Sequence, residues 1–178
     1  WWAMFITMTG DLTAYLSLVF GYFFFWTIHA DFPPDDAPGP GVFWPVLGGA
    51  LLLAAWGAML LARRWNRRGR SLAFYAGPGS SSALTVAGAL ALLAGPYSTG
   101  LDPTTHAYPA MVWMLVIWSA VHGAIGLVMQ AFCCLARVAG RLTPTHDMDL
   151  QNTTLYFHFA ALTWLATVAV LAGFPLVA

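Results

Sequence analysis

Residues 6–26 read ITMTGDLTAYLSLVFGYFFFW, an almost uninterrupted apolar run whose one charged side chain is Asp11. A helix that crosses a bilayer needs about 20 consecutive, mostly apolar residues. Lipid cannot hydrogen-bond to an exposed backbone, so a run of this kind is expected to be helical. The stretch therefore predicts a transmembrane helix that carries a carboxylate within its span, and the nearest other charged residue is Asp31.

The rest of the chain has the same apolar character. Its 178 residues are 60% hydrophobic and only 8% charged, and the mean hydropathy is +0.71, whereas soluble domains carry about 25% charged residues. This composition excludes a water-soluble globular domain and predicts an all-α, polytopic membrane helix bundle of about five spans. The net charge of zero gives no indication of nucleic-acid binding, and the adjacent Cys133 and Cys134 cannot form a disulfide framework.

Loop-forming segments divide the chain into five apolar spans within a single domain, residues 1–178. Residues 29–41 read HADFPPDDAPGPG, and proline cannot continue a helix because it lacks the backbone donor. Residues 77–82, GPGSSS, are interpreted as a flexible connection at the start of the third span. The predicted helices are about 2–28, 42–62, 81–97, 107–135 and 153–176.

The basic residues test this number of spans and set its orientation. All seven are arginines: five lie within residues 63–70, after the second span, and Arg137 and Arg141 follow the fourth. With five spans, both arginine-bearing loops fall on the same side of the membrane. The opposite loops carry only acidic charges, at Asp31, Asp35, Asp36 and Asp102. By the positive-inside rule, the N-terminus is predicted to be cytoplasmic.

Asp11 has two open interpretations. An ionisable group inside the bilayer costs several kcal/mol unless it is paired, hydrated or neutral. Asp11 is either a proton-handling or gating carboxylate that faces another helix or subunit, or a hydrogen-bonding group that ties helices together with help from Thr9 or Thr13. The apolar spans contain no evident basic partner, so any neutralising charge is expected to come from elsewhere.

Two histidines lie inside predicted spans, His122 in the fourth and His158 in the fifth. Such a pair suggests a bis-histidine haem, but the expected depths differ. His122 lies about 22 Å along its helix from the cytoplasmic arginine, whereas His158 is only about six residues in from Asn152. Structural hydrogen bonding, or contact with a lipid headgroup or a neighbouring subunit, is therefore favoured for both. The sequence contains no CxxC or HExxH motif.

Three short motifs, in order, resemble cytochrome c oxidase subunit III from that family's third helix to its end. WWAM followed by DLTAYLSLVFGYFF places Met4 seven residues before Asp11, like the family's Met before an intramembrane acid. YPAMVWMLVIWSAVHGAIG keeps the family's spacing from its tyrosine to His122, and LYFHFAALTW is similar to the terminal motif. The residues that match in this last motif are Tyr156, His158, Phe159 and Trp164.

The chain departs from the family pattern at several places. Asp11 stands where the family usually has Glu, and Ala161 replaces an acid that many members carry. The family's first two helices are missing, so its two-bundle lipid cleft is not expected to form from this chain alone. These features are similar to the subunit III portion of bacterial chains that fuse subunits I and III, and the sequence is therefore expected to begin partway through a longer protein.

The resemblance implies a non-catalytic accessory subunit of a bacterial haem–copper oxidase in aerobic respiratory electron transport. Such a subunit holds no haem or copper, which belong to its partner subunits I and II. It lies in the bacterial inner membrane, packs on subunit I, binds phospholipid and supports proton uptake. The resemblance assigns proton-uptake support to Asp11. The residues expected to contact lipid or subunit I are His122, His158, Trp164, Tyr156, Arg63 and Arg64.

Other functions remain open for the same residues. A haem-b membrane anchor would use His122 and His158 as axial ligands. A nitric-oxide-reductase-associated member of the same family would also have five helices. An independent carrier or channel would couple transport through Asp11, although the sequence has no inverted repeat or pair of broken helices to support it.

Overall fold

The computed structural model describes residues 2–34 and 39–174, and in these ranges the chain forms five α-helices. They are α1 (Trp2–Ile28), α2 (Phe43–Arg67), α3 (Ser71–Ser98), α4 (Ala107–Val138) and α5 (Met148–Val168), and the π-helical segment Ala169–Gly173 continues α5. All five are long and apolar enough to cross a membrane. The fold is therefore the predicted all-helical, multi-pass bundle. Asp35, Asp36 and the last two residues of the fifth predicted span lie outside the described ranges.

The predicted start of the third helix is wrong. α3 begins at Ser71 and not at residue 81, so the segment GPGSSS lies inside a helix. The glycine and proline lower its intrinsic helix propensity, but tertiary packing overrides that preference. Gly77 lies directly against the backbone of Ala62 on α2, and the Ser81 hydroxyl donates to the carbonyl of Ala55 at 2.8 Å.

Other helix boundaries also extend beyond their predicted ends. α2 continues through the arginines to Arg67, and α5 begins at Met148 and not at residue 153. Arginine is a good helix former whose long stem can lie along apolar surface while its charge stays in water. Hydropathy alone therefore places the end of a helix too early where arginines follow the apolar run.

α2 and α3 are in backbone contact. A Cβ atom at Gly48 would lie 2.9 Å from the carbonyl oxygen of Gly88, and one at Gly88 would lie 3.0 Å from that of Gly48. Small residues allow membrane helices to approach this closely, and packing then holds them together without a hydrophobic driving force. α5 packs against both α2 and α4, and α3 packs against α4, so helices α2–α5 form one cluster.

α1 lies on the outside of this cluster and is the least buried of the five helices. It packs mainly on α4, with a smaller contact on α5. Its buried residues are Met8, Tyr15 and Tyr22. The ring of Tyr22 packs edge-on against Phe32, with 5.3 Å between ring centroids, so the end of α1 is held against the loop that follows it.

The two arginine-bearing segments meet at one end of the bundle, as the five-span count requires. Arg67 Nε lies 3.0 Å from Asp147 Oδ2, which joins the end of α2 to the loop between α4 and α5. Arg137 Nη1 donates to Asn66 Oδ1 at 2.8 Å and so joins α4 to α2. The cytoplasmic location of this end remains a prediction of the positive-inside rule.

The opposite end carries the acidic loop residues Asp31 and Asp102. Asp31 Oδ2 lies 3.5 Å from His106 Nε2, which connects the loop after α1 to the start of α4. Asp102 Oδ1 accepts hydrogen bonds from the Thr104 backbone N–H at 2.8 Å and from its hydroxyl at 2.7 Å. These bonds, the backbone one first, hold the pKa of Asp102 below its usual value.

Candidate functional site

Asp11 lies on the face of α1 that packs against the bundle. The inward positions Met4, Met8, Asp11, Tyr15 and Tyr22 are mostly three or four residues apart or a full heptad apart. Met8, Tyr15 and Tyr22 are buried, while Met4 and Asp11 are partly buried. This spacing is typical of a helix–helix contact seam. Asp11 is therefore directed toward α4 and not toward the exposed face of α1.

The residue that faces Asp11 is His122 of α4. The two side chains approach to 3.8 Å between Asp11 Oδ2 and His122 Nε2. The histidine side chain is only 6% exposed, whereas the aspartate side chain is 38% exposed. The sequence analysis found no evident basic partner within the apolar spans; the structure places beside Asp11 a histidine, which is a base but is charged only when it is protonated.

Aromatic rings enclose His122. Its ring stacks on Trp118, with 4.3 Å between centroids and 26° between planes. Phe159 of α5 approaches it edge-on at 5.9 Å, and Tyr156 lies parallel to it at 6.4 Å. The Tyr156 hydroxyl also donates to the backbone carbonyl of His122 at 3.0 Å. These contacts fix the imidazole and leave its Nε2 edge open toward Asp11.

The hydrogen bond on the other side of the ring assigns the tautomer. His122 Nδ1 lies 2.9 Å from the carbonyl oxygen of Trp118, which can only accept. Nδ1 therefore carries a hydrogen, and in the neutral ring Nε2 presents a lone pair to Asp11. A carboxylate facing that lone pair is unfavourable. One proton between Nε2 and Oδ2 removes the conflict, either on the carboxyl or on the imidazole.

The pair can therefore hold one proton inside the membrane. Proton transfer needs heavy atoms about 2.6–3.2 Å apart or one bridging water, so the 3.8 Å separation requires a small approach or a water molecule. Asp11 is the partly exposed member of the pair. His122 is the enclosed member and holds the position of the pair.

The threonines beside Asp11 do not take part in this site. Thr9 donates its hydroxyl hydrogen to the carbonyl of Phe5 at 2.9 Å, and Thr13 donates to the carbonyl of Thr9 at 3.0 Å. Both hydroxyls thus bond to the backbone of their own helix. The interpretation in which they help Asp11 to tie helices together has no support in these contacts, although Asp11 itself does meet another helix.

Sequence reasoning missed two residues that complete the surroundings of the pair. Trp118 stacks on His122, and its buried indole N–H has no hydrogen-bond partner among the described residues. Tyr15, one helical turn after Asp11, donates to the carbonyl of Thr163 at 2.9 Å and lies 3.0 Å from the hydroxyl of Thr167. The heptad spacing of Met8, Tyr15 and Tyr22 was the signal in the sequence for the inward face of α1.

His158 lies in a different environment from His122. Its Nδ1 lies 3.1 Å from Trp56 Nε1 on α2 and 2.8 Å from the carbonyl of Thr154, and the tautomer decides which of the two contacts is a hydrogen bond. His158 also lines an apolar groove of about 330 Å³ between α1 and α5. His122 is directed to Asp11 and Trp118, whereas His158 is directed to Trp56, so neither ring is directed toward the other.

The remaining predicted contact residues lie in two environments. Trp164 is fully buried and donates to the carbonyl of Ser119 at 3.3 Å, and Tyr156 is only 4% exposed. Both lie inside the chain and have little surface for the predicted contact with lipid or subunit I. Arg63 and Arg64, by contrast, line an open groove at the arginine-rich end.

Metal ligation and known relatives give no further assignment. Within residues 2–34 and 39–174, no three His, Cys, Asp or Glu side chains are close enough to hold a metal ion. No family model matches the chain, and no curated protein matches it significantly. A functional assignment therefore rests on the residues themselves and on the place where the fold brings them together.

Proposed function

We propose that the chain is an accessory, subunit III-like component of a bacterial haem–copper oxidase. It is a non-catalytic part of the complex, lies in the cytoplasmic membrane and packs on the subunit that holds the haem and copper. One observation carries the proposal. Asp11, His122 and Tyr156 come from the three separate motifs of the resemblance, and they meet at a single place between α1, α4 and α5.

In this role, the Asp11–His122 pair supports proton uptake by holding a proton beside the catalytic subunit. The pair contains a partly exposed carboxylate and an enclosed imidazole, which suits storage of one proton better than binding of a large substrate. Intramembrane ionisable groups are expensive, and proton relays are among their usual functions. Redox chemistry is the task of the partner subunits.

The outer surface of α1, on the side of the helix opposite the pair, supplies a contact area for a partner. Ile6, Leu16, Phe20 and Phe24 are all exposed there, and α1 is the least buried helix of the bundle. A partner that packs on this surface would cover these apolar side chains, which lie on the face of α1 opposite Asp11. The proposed partner for this surface is subunit I.

Co-purification tests the assignment. The full chain is extracted in a gentle detergent, and its partners are identified by mass spectrometry together with an optical haem spectrum. We expect a haem–copper subunit I, either as a partner or on the same polypeptide. A chain that purifies alone, with a b-type haem spectrum that disappears in His122→Ala, would overturn the proposal in favour of a haem anchor.

The role of Asp11 is tested in the assembled oxidase. Asp11→Ala is expected to leave the haem content unchanged but to shorten the active lifetime of the enzyme during turnover, because the proton-holding pair is lost. Thr13→Ala is the matched control, since Thr13 bonds only to the backbone of its own helix. An Asp11→Ala oxidase that stays active as long as the parent enzyme at every pH would refute this role.

A further inference from the structure

The end of α2 carries a groove formed by one cationic helix face. Its lining residues are Leu60, Arg63, Arg64, Arg67 and Arg68, and its volume is about 340 Å³. Residues three, four, seven and eight positions after Leu60 lie on one side of a helix. Four guanidinium groups therefore share one face within about two helical turns.

The carboxylates of the protein pair with only part of the positive charge of these arginines. Asp147 is the one described carboxylate within ion-pair distance of the four, at 3.0 Å from Arg67 Nε and 3.9 Å from Arg63 Nε. The shorter contact is a hydrogen bond to Arg67. Arg63 Nε is buried without a hydrogen-bond partner, and in the described ranges Arg64 and Arg68 have no side-chain hydrogen bond or ion pair.

Structural roles account for only part of the cluster. Cations are favourable near the C-terminus of a helix because they offset its dipole, and Arg67 also links α2 to Asp147. Like charges three or four positions apart destabilise a helix, however, and Arg63, Arg64, Arg67 and Arg68 contain several such pairs. A buried guanidinium N–H without a partner adds a further cost. An anion bound in the groove would reduce the repulsion between the arginines and would give the buried N–H a hydrogen-bond partner.

We propose that this groove binds the phosphate of an anionic phospholipid headgroup. A guanidinium group matches phosphate geometry through paired N–H donors. The groove lies where α2 leaves its apolar span, which is the level at which headgroups lie, and Leu60 forms its wall on the apolar side. The inference concerns the phospholipid contact that the resemblance implies for Arg63 and Arg64; it goes beyond the proposed function and does not depend on the presence of subunit I.

Native mass spectrometry of the delipidated full chain tests the proposal, with phosphatidylglycerol as the probe and phosphatidylcholine as the zwitterionic comparison. The test variant is Arg64→Gln with Arg68→Gln, which removes the two guanidinium groups that have no protein partner. The control is Arg70→Gln with Arg141→Gln, which removes the same charge from exposed positions outside the groove. Circular dichroism checks that both variants remain helical.

The parent chain is expected to prefer phosphatidylglycerol. The test variant is expected to lose affinity for it by about 30-fold, from the usual contribution of two basic residues near an anionic surface. The control is expected to lose much less. Equal losses in both variants, or no preference over phosphatidylcholine, would overturn the proposal.

A second arm distinguishes a lipid headgroup from free phosphate. Inorganic phosphate is titrated against bound phosphatidylglycerol, and persistence of the lipid supports a headgroup site. Displacement by inorganic phosphate with the same dependence on Arg64 and Arg68 would overturn the lipid as the ligand. Because no oxidase subunit enters either arm, failure of the co-purification test and failure of this one are separate results.

Discussion

The Asp11–His122 contact predicts an energetic coupling between α1 and α4. A double-mutant cycle measures this coupling. In it, Asp11→Leu removes the carboxylate with little change in volume, and His122→Phe keeps a ring against Trp118 while removing both nitrogens. Asp11→Leu alone breaks the pair. In the His122→Phe background the same change is expected to stabilise the bundle, because it removes an unpaired carboxylate from the membrane. The difference between the two effects isolates the pair.

The magnitude follows from the distance and the exposure. Two unit charges 3.8 Å apart attract by about 4 kcal/mol at an effective dielectric constant of about 20. Loss of solvation by both groups offsets most of this attraction. Polar contacts between membrane helices contribute on average about 0.6 kcal/mol and at most about 1.7 kcal/mol. We expect a coupling free energy of about 1.4 kcal/mol, or about tenfold in an equilibrium constant.

Cys133 provides the assay. It is fully buried, and its Sγ lies 3.2 Å from the Thr153 hydroxyl of α5. In a Cys134→Ala background, the rate at which a thiol-reactive dye labels Cys133 in mixed micelles with increasing SDS reports the free energy of opening the bundle. The parent, the two single variants and the double variant are compared.

The control cycle pairs His122→Phe with Thr13→Leu. Thr13 lies on α1, but its hydroxyl bonds only to the backbone of its own helix. Its effects are expected to add within about 0.3–0.5 kcal/mol. If the Asp11 cycle is additive to the same degree, then the two side chains do not interact. The reasoning that one proton is held between them would be refuted.

Four further substitutions test the packing and the loop electrostatics. Tyr15→Phe removes two buried hydrogen bonds to α5 and is expected to lower the unfolding free energy by about 1–2 kcal/mol in an SDS titration; an unchanged value would contradict this. Gly77→Ala forces a methyl group onto Ala62 and is expected to cost about 1–3 kcal/mol. Gly79→Ala meets open space and is expected to be neutral or stabilising by up to about 1 kcal/mol, so the opposite order would refute the packing argument. Hydrogen bonds hold the pKa of Asp102 below its usual value, so their stabilisation is present above the unfolded pKa and is lost as the pH falls through the folded pKa; thermal melts of Asp102→Asn should lose less stability on acidification than the parent, and equal losses would count against it.

The number of helices was predictable because the signal for a membrane span is local. Length and hydropathy along a single segment identify α1 and α4 closely, and their described bounds are Trp2–Ile28 and Ala107–Val138. α3 was predicted less well because its first turns are held by contacts with another helix. The presence of Gly77 and Ser81 in a helix is explained only by their contacts with the neighbouring surface of α2.

The candidate site was predictable as separate residues but not as a pair. Asp11 and His122 each stand out as polar residues in apolar surroundings, and each was identified on that basis. Their partnership was missed because the two are far apart in sequence and because histidine was not counted as a base. The heptad spacing through Tyr15 did indicate that Asp11 faces the bundle, because this spacing marks the inward face of α1.

The sequence by itself determined that this protein is a bundle of membrane-spanning helices with its arginines at one end and a carboxylate inside its first helix. These properties depend on the composition and order of residues along single segments, because the bilayer acts as an apolar solvent that selects long apolar helices. Only the tertiary structure decided that Asp11 meets His122, that Trp164 is buried, and that four arginines form one groove beside Asp147. Those facts depend on how each helix is rotated about its axis and on which helix it touches, and that is set by packing across the whole bundle.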